Sequence, residues 1–306
     1  MAQVKLDSLN LSVLKALDFF QKNRPARLSL KKYTFPIVVG SGNAYNAGTV
    51  IFSQQKAIFA NESNFKETLT RYRDLIKNKT ITHAVIISAS GEKDSVWEIK
   101  MAKKRGLKTT LFTCAADSSG AKLADEVHIF RKLPEPYTYN TSTYMGMMLA
   151  VSGEKTEDIA RFILQLKLPK NFKKYHAYSF ILPDEFMAIA PMLEIKRDEL
   201  FGPNLSLRAF SYGEARHAKF VVRSQKELVI SYGNNDYFGH PKHRLIITPP
   251  RQADQAWMMA VNYFLIGLIQ SAQPDYFQSN INNFCTDYGY KAYPGAKPFS
   301  LMVPGN

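Results

Sequence analysis

The sequence predicts an α/β protein made of two three-layer α/β/α halves, each built on a mainly parallel five-stranded sheet. Short β-branched runs alternate with helical patterns through the first half, the signature of strands joined by crossover helices. A similar order of strands and helices returns after residue 172, although residue-level repetition is weak. The 306 residues also exceed the length at which a single hydrophobic core usually stops growing.

Residues 1–35 read as a helical lead-in. Strands are expected at 36–39, 83–88, 108–114 and 126–130, where apolar and β-branched residues cluster. Helices are expected between them at 45–57, 95–105 and 117–124, with two more at 144–151 and 159–168. The Leu-Pro-Lys-Asn stretch at 168–171 reads as a polar linker, so the halves are expected to span 1–168 and 172–306. The second half shows strands at 178–182, 205–210, 220–222, 228–232 and 245–248, and helices at 184–200 and 252–271. Residues 275–306 are rich in Pro, Gly, Asn and Tyr and predict a non-helical tail that packs over the rest.

Composition excludes several classes of function. Hydrophobic residues make up 45% and charged residues 22% of the chain, near globular averages. No run of about 18 apolar residues is present to span a bilayer. The segment MAQVKLDSLNLSVLKALDFF does not read as a signal peptide, so a cytoplasmic protein is expected. Cys114 and Cys285 lie far apart without metal-ligand spacing and read as reduced packing cysteines. The net charge of +14 is spread along the chain without a basic tail or nucleic-acid module. It suits anionic metabolites rather than nucleic acid. No metal is expected at His240 and His243, since Pro241 disrupts their spacing. No cofactor is expected either: Gly40 and Gly42 begin a G-x-G, but Tyr45 stands where a dinucleotide site needs its third glycine.

In doubly wound sheets ligands bind beyond the carboxyl ends of the strands, here residues 40–43, 88–94 and 113–117. In IISASGEKDSVWEIK, Ser88, Ser90 and Gly91 fall between a strand and a helix start. There, amide donors and hydroxyls suit an anion and Lys93 adds a cation. The competing reading is that the serines and Asp94 only cap the helix. The loop VVGSGNAYNAG presents Ser41, Gly42 and Asn43 to the same crevice. The cluster YNTSTYMGMMLAV sets Thr141, Ser142 and Thr143 at another helix start.

Together these three loops resemble the sugar-isomerase (SIS) family of phosphosugar isomerases and phosphosugar-binding proteins. FTCAADSSGAKLADEVHIF resembles that family's next strand, loop, helix and last strand. The resemblance covers residues 36–151 and implies a sugar phosphate held by Ser41, Ser88, Ser90 and Thr143. Lys93 departs from it, standing where the family commonly has Thr or Ser. In the second half, a helix carrying Lys196, Asp198 and Glu199 precedes Gly213-Glu214-Ala215-Arg216-His217. This resembles the K-x-x-E helix and G-E-x-[KR]-H turn of double-SIS enzymes, the group of the glucosamine-6-phosphate synthase isomerase domain and the fructosamine-phosphate deglycases.

That resemblance implies that Glu199 is a general base, that His217 opens the sugar ring, and that a C-terminal lysine joins them. Lys291 is the candidate for that lysine, with Lys297 behind it. Departures are Ala218-Lys219 where the family has Gly-Pro, Pro183 and Asp184 in place of glycines, and two extra residues between Glu199 and His217. SYGNNDYFGH lacks the serine pattern, so one site per chain is expected. The resemblance further implies a homodimer that shares the site between subunits, or a tetramer of such dimers. The expected activity is aldose-ketose isomerisation or fructosamine-6-phosphate deglycation through an enediol or enolamine. The alternative is a non-catalytic phosphosugar sensor.

Overall fold

Helix α1 (Leu9–Lys22) buries Leu9, Val13, Ala16, Leu17 and Phe20, a stripe at helical spacing. The computed structural model describes residues 5–273, 276–293 and 295–306 and forms two compact units. One comprises residues 23–132, 143–153 and Asn306. The other takes the chain up to Lys22, residues 133–142 and residues 154–305, so α1 belongs to it.

The first unit alternates strands and helices. These are β1 (Ile37–Gly40), α2 (Asn43–Ile51), β2 (Ile58–Ala60), α3 (Phe65–Arg71), α4 (Arg73–Lys77), β3 (His83–Ile87), α5 (Asp94–Lys104), β4 (Lys108–Thr113), α6 (Ser119–Leu123) and β5 (Glu126–Ile129). The strands lie in the order β2-β1-β3-β4-β5, all neighbours parallel. Residues 37–40 are buried throughout, as in a strand covered on both faces. Ile37, Val39, Ile86, Phe65, Leu69, Ile99 and Leu111 share one core. Each strand expected in this half is present within a residue or two of its predicted bounds. The fifth, β2, is a partly buried edge strand of three residues, too short and too mixed to stand out in sequence. Gly40 pairs with Ile87, so the chain leaves β1 and β3 side by side at Ser41 and Ser88.

Helix α7 (Thr141–Ser152) is divided between the units. The second unit holds β6 (Glu135–Pro136), α8 (Thr156–Gln165), β7 (Ala177–Leu182), α9 (Ala190–Phe201), β8 (Ser206–Ser211), α10 (Tyr212–Ala218), β9 (Glu227–Tyr232), β10 (Arg244–Ile247), α11 (Gln255–Gln270), α12 (Tyr276–Asn283) and β11 (Met302–Val303). Its main sheet is parallel and has four strands, in the order β10-β9-β7-β8, not the five expected. The missing strand is 220–222. Lys219 takes a left-handed conformation at the end of α10, Phe220 follows at φ 40°, and Val221 and Val222 face solvent, 89% and 72% exposed. The Phe220 ring packs on Phe210 and Phe238 instead.

Three helical expectations also differ; the helix expected at 45–57 starts earlier and ends at Ile51. The helix expected at 184–200 is a 3-10 segment, Asp184–Ile189, followed by α9, because Pro191 lacks an amide donor and belongs in a first turn. The tail is not non-helical. Tyr276–Asn283 is an α-helix, Phe284–Tyr288 a π-turn and Gly289–Ala292 a 3-10 turn. Phe277 and Ile281, one turn apart, are buried, and the period-four apolar spacing outweighs the Pro and Gly around it. At the centre of the unit, α11 is buried on nearly every face from Ala256 to Ile269. It is apolar all round, as an interior helix should be.

Candidate functional site

In α9, positions 196 and 199 lie one turn apart and therefore share a helix face. Lys196 is completely buried. Its Nζ donates to Glu199 Oε2 at 2.5 Å and to the Thr138 carbonyl at 2.6 Å, and lies 5.5 Å from the Tyr263 ring centroid. Glu199 keeps a fifth of its side chain exposed. Burial pushes its carboxyl up, while the charge and hydrogen bond of Lys196 oppose that rise. Arg197 grips Asp198 with two hydrogen bonds, 2.8 and 3.1 Å, so the neighbouring carboxylate is paired as well.

Thr138, which supplies the carbonyl to Lys196, sits at φ 76°, an outlier for a β-branched residue. Helix α9 ends at Gly202, φ 53°. A Cβ there would lie 2.4 Å from the Tyr276 ring, so only glycine lets that ring close over the helix end. The result is a cavity of about 260 Å³ lined by Thr138, Asp198 and Glu199 on one side. Tyr276, Phe277, Asn280, Ile281, Phe284 and Tyr288 line the other. Sequence reasoning named Glu199 but missed this aromatic wall, although its apolar spacing was the available signal. His217, in the last turn of α10, and Lys291 and Lys297 are exposed. None of the three lines the cavity among the described residues.

The loop of the first unit is built from hydrogen bonds among its own residues. Ser88 Oγ accepts from Gly91 N at 3.1 Å and Ser90 Oγ from Glu92 N at 3.3 Å; each hydroxyl still has its own O–H to donate. Gly91 is at φ 62°, and a Cβ there would lie 2.1 Å from Ser118 Oγ, so the position demands glycine. Ser41 donates to Asp94 Oδ2 at 3.0 Å, and Trp97 Nε1 donates to Asp94 Oδ1 at 3.1 Å. Asp94 therefore holds Ser41 rather than merely capping its helix. Lys93 precedes α5 at φ 55°. Gly42 is exposed at φ 54° with open space around it, and Asn43 begins α2.

The Thr-Ser-Thr cluster has another partner. Glu135 Oε2 accepts from Thr141 N at 2.7 Å and Ser142 N at 3.1 Å, and Ser142 Oγ donates to Glu135 Oε1 at 3.2 Å. A carboxylate of the chain thus occupies the start of α7, and Thr143 is 1% exposed. A second buried carboxyl lies one turn beyond Asp94. Glu98 is 1% exposed, its Oε1 has no hydrogen-bond partner, and burial, with Asp94 and Glu62 nearby, pushes it up to about 8. No group of three or more potential metal ligands occurs among the described residues. No helix among them is long and apolar enough to cross a membrane.

No protein family and no curated protein matches the chain in sequence. Solved structures match it in fold. A glucosamine-6-phosphate deaminase from Thermotoga maritima is 16% identical, with a TM-score of 0.56 over 86% of this chain and 94% of that one. The C-terminal domain of glucosamine-fructose-6-phosphate aminotransferase from Francisella tularensis is 14% identical, with a TM-score of 0.58 over 87% and 96%. A tagatose-6-phosphate ketose/aldose isomerase from Escherichia coli is 12% identical, with a TM-score of 0.54 over 86% and 90%. The chain shares their α/β fold across most of its length.

Proposed function

We propose that this chain is a phosphosugar enzyme that moves a proton between C1 and C2 of an open-chain sugar phosphate, with Glu199 as the base. The observation that carries this reading is the Lys196–Glu199 pair, with Glu199 in the cavity lining: a largely buried carboxylate whose pKa is raised by burial yet held in place by a buried ammonium. A base for this chemistry must be ionised near neutral pH and still basic enough to take a carbon-bound proton. Raising a carboxyl moves it toward that compromise. The fold shared with a deaminase and an isomerase of sugar phosphates agrees with the choice of substrate.

Two products follow from one intermediate. Returning the proton to the neighbouring carbon of an enediol interconverts ketose and aldose, and the same step on an enolamine leads to release of an amine. The sugar phosphate is proposed to lie on Ser41, Ser88 and Ser90, with Lys93 as a point charge. His217 is proposed to open the ring, since an imidazole can both accept and donate a proton. Because His217 is exposed and away from the Glu199 cavity, it is proposed to serve a second copy of the chain, in a homodimer.

The test is incubation of purified protein with fructose 6-phosphate, glucose 6-phosphate, glucosamine 6-phosphate and a fructosamine 6-phosphate. The expected outcome is turnover of at least one of them, lowered on the order of 10²–10⁴-fold in Glu199→Gln with binding retained. Binding without turnover by the wild-type chain would instead identify a phosphosugar sensor.

A further inference from the structure

The cavity beside Glu199 is too small and of the wrong character for a whole sugar phosphate. At about 260 Å³ it falls below the range of roughly 300–1,000 Å³ typical of sites that enclose a full ligand. It exceeds the roughly 150 Å³ that encloses a benzene molecule. Its described lining has no Lys, Arg or His to meet a phosphate. Four aromatic rings and Ile281 line it together with Thr138, Asn280 and the two carboxylates, and each carboxylate is already paired with a cation, Lys196 or Arg197.

From this geometry we infer that the cavity holds an apolar, preferably aromatic, substituent on the nitrogen of an N-substituted fructosamine 6-phosphate. The inference rests on the proposed function in its amine-releasing form. Glu199 takes a proton from C1 as the C1–C2 double bond forms and the C2 oxygen gains a proton. Return of a proton to C2, with loss of the nitrogen's proton, gives a C1=N imine. Water adds at C1, the C1–N bond breaks, and aldose phosphate and free amine leave; the net change is the addition of one water. During these steps the substituent on nitrogen stays beside Glu199, where the aromatic wall stands. A substituent with its own carboxylate, as an amino acid would bring, meets two acidic groups whose cations are already engaged, with no cation in the described lining. An apolar one displaces water from ring surfaces.

The test compares fructosamine 6-phosphates made from benzylamine, glycine and ammonia by turnover, and their non-reacting sugar-alcohol analogues, with C2 reduced, by calorimetric binding to the wild-type chain. The expected result is at least a tenfold preference for the benzyl conjugate over the glycine conjugate in both measurements. Phe284→Ala should shrink that preference, and the milder Phe284→Leu should shrink it less. Equal or reversed binding of the two conjugates overturns the inference, whether or not turnover is seen. Loss of turnover on every sugar phosphate, with the binding preference intact, overturns the proposed function and leaves the pocket assignment standing.

Discussion

Lys196 is a charged side chain with no solvent contact, and its three partners explain how the fold tolerates it. Removing one member of a buried ion pair strands the other, at a cost of about 3–5 kcal/mol. Lys196→Met should therefore lower the urea midpoint sharply. The same variant should change catalysis in a specific direction. As the proposed base, Glu199 would act ionised, so the rate should rise with pH through its folded pKa, and losing the ammonium that holds that pKa down should move the acidic limb of the pH-rate profile upward. A limb that stays in place would mean Lys196 only supports the fold.

Glu98 makes the opposite prediction, on stability alone. Its folded carboxyl is pushed up to about 8 from an ordinary 4.5, so the folded state keeps a proton that the unfolded chain has lost. Stability present below the ordinary carboxylate range is then lost as pH rises toward 8. Glu98→Gln should melt roughly 2–4 °C above wild type at pH 8.5 for each kcal/mol relieved, and near wild type at pH 4. Nothing in SVWEIK marks Glu98 as buried. Its burial comes from packing between elements, which a single sequence does not display, whereas Glu199 was singled out only through the resemblance of its K-x-x-E helix to double-SIS enzymes.

Helix ends show what local patterns reveal and what they conceal. Glu154 accepts from the amides of Asp254, Ala256 and Trp257 at 2.8, 2.9 and 3.0 Å, one carboxylate satisfying three donors at the start of the central helix α11. Glu154→Ala should cost about 1.5–3 kcal/mol in urea unfolding, the range for hydrogen bonds to a charged group, with Glu154→Gln losing less. Glu135 does the same for α7, and for this reason the Thr-Ser-Thr motif, legible as an anion-binding helix start, is occupied by the chain itself. Both caps join residues whose pairing depends on how the chain folds back. Helices with clear periodicity and strands buried on both faces were readable, while β2, the α12 segment and the 220–222 loop were not. The last two were misread for opposite reasons: Pro and Gly flanked a real helix, and three apolar residues without a neighbouring strand imitated a real strand. Of the described non-glycine residues at positive φ, Lys93 lies in the loop at 88–94 and Thr138 in the cavity lining, while Lys79, Asn140, Lys219 and Phe220 lie elsewhere. Strain of this kind persists where surrounding structure holds it, and it concentrates at functional positions.

At the scale of the whole molecule, the exposed His217 makes the proposed function depend on assembly. If His217 of one copy serves Glu199 of another, mixing inactive Glu199→Gln with inactive His217→Ala should restore activity. Random pairing makes about half the dimers mixed, each with one intact site, for roughly a quarter of wild-type turnover. No recovery after mixing and re-association would place both groups in one chain's site. The charge of +14 gives a second whole-molecule expectation: binding of a sugar phosphate should weaken only modestly between 50 and 200 mM salt. A duplex-binding protein making 6–10 phosphate contacts would lose about 10³–10⁵ in affinity over that range.

The aromatic wall comes from one short stretch, Tyr276 to Tyr288, while the Lys196–Glu199 pair sits on α9. On the proposed function, chemistry and selectivity are therefore written on separate pieces of chain. Substitutions in the stretch can retune which molecule is accepted while the proton-transfer apparatus stays intact, so descendants of this protein can diverge in diet without having to reinvent a reaction.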